Sequence, residues 1–584
     1  MNGVSAIRTY VDRLVTGDGR CNGMKALLLD ASTTQIVSCV YSQSEVLSRE
    51  VYLVSRLDDV TNINNATKQS NIKDSAPVGH LKAIVYLRPT DINAGLLVKE
   101  LKRPRFGEYH IFFSGIVPTS ILRMLAENDE RELVRQIQEF YGDFLPINED
   151  LVTLNCRHTL AMTASAGTSW ARDHAHVYER NLVGLQSILL AMKKQPRQIR
   201  YQTSSALASQ LARDIHEKIL SDQIFHFRQS SHKGGTLLLV LDRMDDPLTP
   251  LLSQWTYQAM VHELLGINNN RVILKGAPNI TPDLHEVVLS SSSDDFFHNN
   301  KHSNFGQLGE AIQTLLKDYQ QKTQTTHNLS SLNTIEDMQA FMDKFPQLKS
   351  QSHNVSKHVA LMGELARLVD TCSLMDVSQF EQELACADDQ SIHFRELMDK
   401  LQSSHIQIPD KLRLGLLFAL RYEHSANLHK VRAEMKKGGV SEHSISLIDT
   451  LIQYAGSNTR GPGLYGIGSK DIVSKMTKSI LTSVQGVSNV YSQHSPVLID
   501  TLNAILRGKL KMESHPYIIG RPRGPTEREV PEDIIVFMVG GVTYEEATKV
   551  AEFNKLHRSK LRVLLAGSTI HNSTSFLEEL KTLP

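Results

Sequence analysis

The chain has 584 residues, about twice the length at which a single hydrophobic core stops growing, so two to four domains are expected. Apolar residues make up 41% and charged residues 22%, which excludes global disorder. Lys plus Arg and Asp plus Glu each number 63, so no whole-molecule field draws in nucleic acid or anionic lipid. The five cysteines, Cys21, Cys39, Cys156, Cys372 and Cys386, contain no C-x-x-C pair and read as buried thiols of a reducing compartment. Arg8, Asp12 and Arg13 precede any apolar run, so no signal-peptide core is present and a cytoplasmic protein is expected. The longest apolar stretch, near Ile534 to Val539, falls far short of the ~20 residues of a membrane helix, so membrane association has to come through a partner.

In chain order, strands are predicted at Lys25 to Asp30, Gln35 to Val40, Val51 to Leu57, Ala83 to Leu87 and His110 to Phe113. Helices are predicted at Ile92 to Leu101 and, opening on proline, at Pro118 to Ala126. This alternation implies a mostly parallel sheet covered on both faces, with Thr61 to His80 as an exposed polar loop. A second α/β region begins near Phe140, and its clearest strand is the continuous apolar run Thr236 to Leu241. From Leu251 to Ser479 the pattern is almost wholly helical, with loops at Ser290 to Ser303, Gln320 to Asn333 and Gly456 to Lys470. Strand-like runs then return at Ile534 to Val539 and Leu561 to Leu565, each followed by a glycine-containing turn into helical sequence. The economical reading is α/β: one parallel sheet interrupted by a large helical insertion. No repeat of 20 to 50 residues is present, which argues against a solenoid.

Asp242, Asp245 and Asp246 follow the strand Thr236 to Leu241, where carboxylates can hold Mg²⁺ for phosphoryl chemistry. The competing reading is a turn, with Asp246-Pro247 leading to Thr249 as a helix N-cap and Pro250 at the first helical position. Gly461-Pro462-Gly463-Leu464-Tyr465-Gly466 matches G-x-G-x-x-G by letter, but no strand feeds it, so it reads as a glycine-rich loop. His262-Glu263 lacks the second histidine of a zinc motif, the 24 histidines form no ligand cluster, and no P-loop or nucleophile elbow occurs. No catalytic residue, cofactor or metal is therefore expected. The alternative kept open is a Mg²⁺-dependent phosphohydrolase or nucleotide-binding enzyme using Asp242 and Asp245.

The longest pattern runs Leu237-Leu238-Leu239-Val240-Leu241-Asp242-Arg243-Met244-Asp245-Asp246-Pro247-Leu248-Thr249-Pro250 and continues through Gln254-Trp255-Thr256-Tyr257. With Met24 to Asp30 and Phe537 to Glu546, it strongly resembles the Sec/Munc-type (SM) family of syntaxin-binding proteins, which guide SNARE assembly in vesicle fusion. Glu139-Phe140-Tyr141-Gly142-Asp143, Gly266-Ile267-Asn268-Asn269-Asn270-Arg271, Gln382 to Cys386 and His571-Asn572 resemble the branch of endosomal and trans-Golgi traffic.

The resemblance implies a non-enzymatic chaperone and a three-domain arch: two parallel-sheet α/β domains and a large, mainly helical insertion. Domain 1 spans 1–139, domain 2 spans 140–250 and 481–584, and domain 3 spans 251–480. Its implied partners are a syntaxin-type Qa-SNARE and the assembling SNARE bundle with an R-SNARE. It further implies a monomer that binds no nucleic acid and does not insert into the membrane, recruited peripherally to endosomal and trans-Golgi membranes through SNAREs.

Residues matching an apolar pocket for a syntaxin N-terminal peptide are Phe113 at a strand end, Leu122 and Leu125 on the next helix, and Val134 and Ile137 on a helix after it. Either leucine is expected to tolerate arginine without unfolding the protein. Asp30, Tyr41, Ser42, Glu45 and Ser55 match the inner face toward the syntaxin bundle, although Tyr41 and Ser55 depart from the charged residues of the neuronal branch. In the insertion, Ile335, Met338, Phe341, Met342, Phe345 and Leu348, then Val355, Val359, Met362 and Leu365, fall at helical spacing. Pro346 inside this pattern is expected to kink or end the helix, giving a bent hairpin. By the resemblance Pro346 is the switch and Leu348 and Val359 are R-SNARE contacts; ordinary core packing of the stripe is the alternative.

Overall fold

The computed structural model describes residues 1–57, 78–164, 174–225, 235–278, 280–326, 335–461, 463–465, 494–522, 530–558 and 560–583, with backbone alone at 163–164, 223, 320, 322–326 and 335–351. Strands β1 (Lys25–Leu29), β2 (Val51–Arg56), β3 (Val78–Leu87), β4 (Phe106–Phe113) and β5 (Val134–Glu139) pair in parallel in the order β2-β1-β3-β4-β5. All five residues of β1 are buried, as an apolar run covered on both faces requires. The helices Asp91–Lys102 and Thr119–Asn128 cover one face through Ala94, Leu97, Leu101, Ile121 and Leu125. The helices Gly3–Val15 and Ala31–Val40 cover the other.

Two local expectations are corrected here. Gln35 to Val40 is not a strand but the end of the helix Ala31–Val40. Its β-branched residues favour extended backbone, yet a reciprocal cap outweighs them: the Asp30 carboxylate accepts from Thr33 N–H (2.8 Å), and Thr33 Oγ1 accepts from Asp30 N–H (2.9 Å). The expected loop to His80 ends earlier, since Val78, Gly79 and His80 open β3; its residues 61–77 lie outside the described residues. Pro118 is the N-cap of Thr119–Asn128 and not its first residue.

The second sheet uses β6 (Leu145–Asn148), β7 (Leu151–Thr153), β8 (Gln198–Tyr201), β9 (Thr236–Asp242), β12 (Tyr517–Ile519), β13 (Asp533–Val539) and β14 (Arg562–Gly567), in the order β12-β8-β9-β13-β14-β7-β6. Its centre is parallel, and its two edge pairs are antiparallel. Strand β9 leaves the sheet and β13 returns beside it in unbroken register, from Thr236 opposite Asp533 to Asp242 opposite Val539. This is the interrupted sheet expected from the sequence. Between them lie the helices, with a hairpin of β10 (Arg271–Ile273) and β11 (Glu286–Val288) that an all-helical reading missed. The helix Asp295–Asn300 stands where a loop was expected, and Phe305–Thr326 takes up part of the next one.

Where β9 ends, the chain turns through three buried charges. Arg243 is fully buried and holds Glu546 bidentately, Nη1 to Oε2 at 2.8 Å and Nη2 to Oε1 at 2.9 Å, while Asp246 approaches at 3.7 Å. Thr249 is not a helix N-cap: it opens the 3₁₀ turn Thr249–Leu251 and itself donates to the Asp246 carboxylate from N–H (2.9 Å) and Oγ1 (2.7 Å). All five cysteines are free, but only Cys21 and Cys39 are buried; Cys156, Cys372 and Cys386 are half-buried. Replacing Glu546 by Ala would strand the guanidinium in the interior and is expected to destabilise the protein by about 3–5 kcal/mol. Urea denaturation checks this, and Arg243→Met combined with Glu546→Leu is expected to recover part of the loss.

Candidate functional site

The carboxylates with the clearest catalytic pattern are occupied by the fold. Asp242 accepts from Ser205 Oγ (2.6 Å) and Met244 N–H (3.0 Å), and Asp245 accepts from Ser204 Oγ (2.9 Å) and Gly461 N–H (2.7 Å). Burial pushes the Asp245 carboxyl up, against those two hydrogen bonds. These groups build a corner and close the Gly461 loop onto it; Pro462 and Gly466 of the glycine motif lie outside the described residues. His262 is enclosed, pushed down to about 4 by burial, and its Nδ1 accepts from Ile267 N–H at 3.1 Å. Among the described residues one trio, Cys21, Glu108 and His110, brings metal-type donor atoms within 4.8 Å of one another. Lys82 (2.9 Å) and Arg135 (3.6 Å) already neutralise Glu108, which makes it an ion-pair cluster that a cation would have to break.

The residues expected to line the first pocket divide between core and surface. Phe113 and Leu125 are fully buried in the core of the first sheet, and Leu125→Arg would break that core, contrary to expectation. Leu122 and Ile137 stand above it at 38% and 36% exposure, and Val134 is partly buried. Val134 and Ile137 lie on the edge strand β5 and not on a helix. The register explains the misreading: Val134 faces Tyr109 and Gln136 faces His110, so Arg135 bulges and a three-residue spacing keeps Val134 and Ile137 on one face.

On the inner side, the expected contacts divide. Asp30 is buried, and its carboxylate also accepts from Arg88 N–H (2.7 Å) and Asn93 Nδ2 (2.7 Å), which fills the crevice at the ends of β1 and β3. It is a cap, not a contact. Tyr41 is buried, donates to Asp12 and lies under Arg8 at 5.0 Å. Ser42 is exposed but forms a reciprocal cap with the half-buried Glu45, which pairs with Arg8. Ser55 is half-buried on β2. What the sequence reading missed is beside them: Leu47, Tyr52, Leu53 and Val54 are exposed at 53%, 58%, 38% and 53%, three of them consecutive on an edge strand. A strand was legible there, but its edge position was not.

In the insertion, the helix Ile335–Thr371 runs without interruption through Pro346, so the expected end of the helix does not occur. At 1.5 Å per residue its 37 residues extend roughly 55 Å. The side chains of Pro346 and Leu348, and of the stripe Ile335 to Phe345, lie outside the described residues. Nearer the base the buried face is Val355, His358, Leu361, Leu365 and Val369, the last three packed with Leu308 and Ile312 of the helix Phe305–Thr326, whereas Val359 points off it at 38% exposure. A buried polar clamp fixes this base. Asp294 accepts from His358 Nε2 (3.0 Å) and from Lys357, and His358 Nδ1 receives the Tyr257 hydroxyl at 2.8 Å. Burial opposes the charge on Asp294, but His358 and Lys357 outweigh it and hold the carboxyl well below its usual range.

The Sec1 family model matches residues 25–579. Vacuolar protein sorting-associated protein 45 of Homo sapiens is 43% identical over 584 residues, 99% of this chain and 96% of that protein. The Saccharomyces cerevisiae protein of that name is 31% identical, over 98% of each chain. Among solved structures, SM protein Vps45 in complex with Qa SNARE Tlg2 (1–310) aligns with a TM-score of 0.85 at 38% identity, covering 100% of this chain and 98% of that one.

His358 is held neutral mainly by burial, below its ordinary 6.5, with Asp294 opposing. As pH falls below 6.5 the unfolded chain takes up a proton there that the folded chain refuses, so stability falls. His358→Gln is expected to flatten the decline in the thermal midpoint between about pH 7 and 5.5; an unchanged slope would show that His358 contributes nothing to it.

Proposed function

We propose that this chain, which belongs to the Sec1 family, binds a syntaxin-type Qa-SNARE and guides SNARE complex assembly for vesicle fusion in endosomal and trans-Golgi traffic. The observation that carries the reading is the full-length match to the Vps45 structure solved with the Qa SNARE Tlg2. The three-domain α/β arch supplies surfaces for this. An amphipathic or extended segment needs exposed apolar side chains on a fixed support, and Leu122 with Ile137, and Leu47 with Tyr52 to Val54, have that character. We read residues 1–139, 140–250 with 481–584, and 251–480 as the three domains, acting as a monomer.

Leu122 and Ile137 would receive the N-terminal peptide of the syntaxin over the floor of Phe113 and Leu125, with Val134 at the side. Ser42, Glu45 and Ser55, with the exposed edge of β2, would face its helical bundle. Pro346, Leu348 and Val359 belong to the surface read as the R-SNARE track. Because the helix already passes through Pro346, the proposed role of that residue is to weaken one turn of an extended hairpin. No chemistry is proposed: Asp242 and Asp245, the basis of the enzyme alternative, are committed to Ser205, Met244, Ser204 and Gly461. Among the described residues no helix is long and apolar enough to cross a membrane, and recruitment to the membrane from the cytoplasm would come through the SNAREs.

Burying one peptide Phe or Leu contributes about 1.5–3 kcal/mol before ordering costs. Leu122→Arg is therefore expected to weaken binding of a syntaxin N-terminal peptide by about tenfold or more in calorimetry, with the thermal midpoint unchanged. Full affinity in that variant would remove the pocket. Val359→Asp is expected to reduce capture of the R-SNARE while sparing the Qa-SNARE; equal capture of both would take Val359 out of the track.

A further inference from the structure

A cavity of about 600 Å³ opens at the edge of the second sheet, between β8, β12 and the turn that follows the helix Val497–Leu506. Among the described residues four cations line it, Arg200, Lys509, Lys511 and Arg521, against one carboxylate, Glu513. Arg200 is 5% exposed, and its guanidinium stacks on Tyr517 at 4.3 Å. Its donors go to neutral oxygens: Nε to the His515 carbonyl (2.8 Å), Nη2 to the carbonyls of Leu510 (3.0 Å) and Lys511 (3.0 Å), and Nη1 to the Tyr517 hydroxyl (3.3 Å). Among the described residues none of the four cations forms an ion pair with a carboxylate. This is unusual in a chain whose other interior guanidinium groups, Arg243 and Arg413, each face two or more.

Two consequences follow from elementary electrostatics. A buried charge without a counter-charge is costly, and low-dielectric walls focus its field into the open space beside it. The neighbouring His515 reports the same field, since burial and then Arg200 push it down to about 4. Arg200 also fixes the backbone that carries Lys509 and Lys511, so the exposed ammonium groups project from an ordered loop. A partner suited to this site is compact and carries several negative charges. Phosphate groups meet that condition, each carrying about −1.5 to −2 charges with three acceptor oxygens, and the volume is that of a small-molecule site.

We propose that this cavity binds a ligand bearing several phosphate groups, a chemistry shared by free inositol polyphosphates and phosphorylated lipid head groups. Lys509, Lys511 and Arg521 contact the phosphates, and Arg200 is a positioning residue beneath them. The site is separate from the faces assigned to SNAREs, so its failure would leave that reading intact.

The test is calorimetry of the full chain with inositol hexakisphosphate. Wild type is expected to bind, and Lys509→Glu with Lys511→Glu, both exposed and harmless to the fold, to lose about tenfold or more in affinity. An equal charge reversal elsewhere, Lys102→Glu with Arg103→Glu, is expected to leave binding unchanged. No binding by wild type, or an equal loss in both double variants, would overturn the proposal, the second result showing attraction by net charge alone. Flotation with phosphatidylcholine vesicles carrying either phosphatidylinositol monophosphate or phosphatidylserine then separates the sources. Capture by the first only, lost in the Lys509/Lys511 variant, assigns the head group, and binding of the soluble polyphosphate without capture assigns a free ligand.

Discussion

The pairing of β9 with β13 is the constraint on which the rest of the molecule depends. About 290 residues separate Asp242 from Asp533, and bringing such distant points together costs on the order of 5 kcal/mol in loop entropy before any contact forms. Seven registered residue pairs and the bidentate hold of Arg243 on Glu546 offset that cost at one place. Everything inserted between them, including the long helix Ile335–Thr371, is thereby anchored at both ends to a rigid sheet. The 37-residue helix of the insertion is in turn fixed at its base by Leu361, Leu365 and Val369 and by the Asp294 clamp.

The same economy explains how acidic residues are used. Asp30, Asp242, Asp245 and Asp246 all stand at the carboxyl ends of parallel strands or just beyond, where α/β proteins commonly place ligands. Here each carboxylate accepts from backbone amides or hydroxyls of neighbouring turns, so the crevices are filled from within. Exposed apolar side chains stand elsewhere, Leu122 and Ile137 on one helix and one edge strand, and Tyr52, Leu53 and Val54 on the other edge strand of the first sheet.

Much of this was legible in the residues. The apolar runs at Lys25 to Leu29 and Thr236 to Leu241 could only be buried strands, and the return of such runs after a long helical stretch implied the interrupted sheet. The misreadings have local causes. The Asp30 and Thr33 cap turned a β-branched segment into a helix, and the bulge at Arg135 made a strand imitate helical spacing. Edge position defeated the site reading most. Nothing in the letters Tyr52-Leu53-Val54 says that β2 has no outer neighbour among the described residues, and nothing in Leu122 and Leu125 says that one is exposed and the other buried, because both depend on how the elements pack. The β10–β11 hairpin was missed because three-residue strands carry too little periodicity to be seen.

The insertion meets a helix of the first sheet at one polar turn. The turn at Asn268 to Arg271, with Asn269 and Asn270 both in left-handed backbone (φ 53° and 61°), reaches the end of the helix Ala31–Val40. There Asn269 donates to Ser38 Oγ at 3.0 Å, and the Cys39 thiol meets its amide oxygen at 3.5 Å. Two such bonds contribute about 1–3 kcal/mol, far less than either neighbouring core. The contact is a light fastening, with Ile267 packed beside it on the cluster of Val37, Cys39 and Val40, set between two sheets that each hold their own shape.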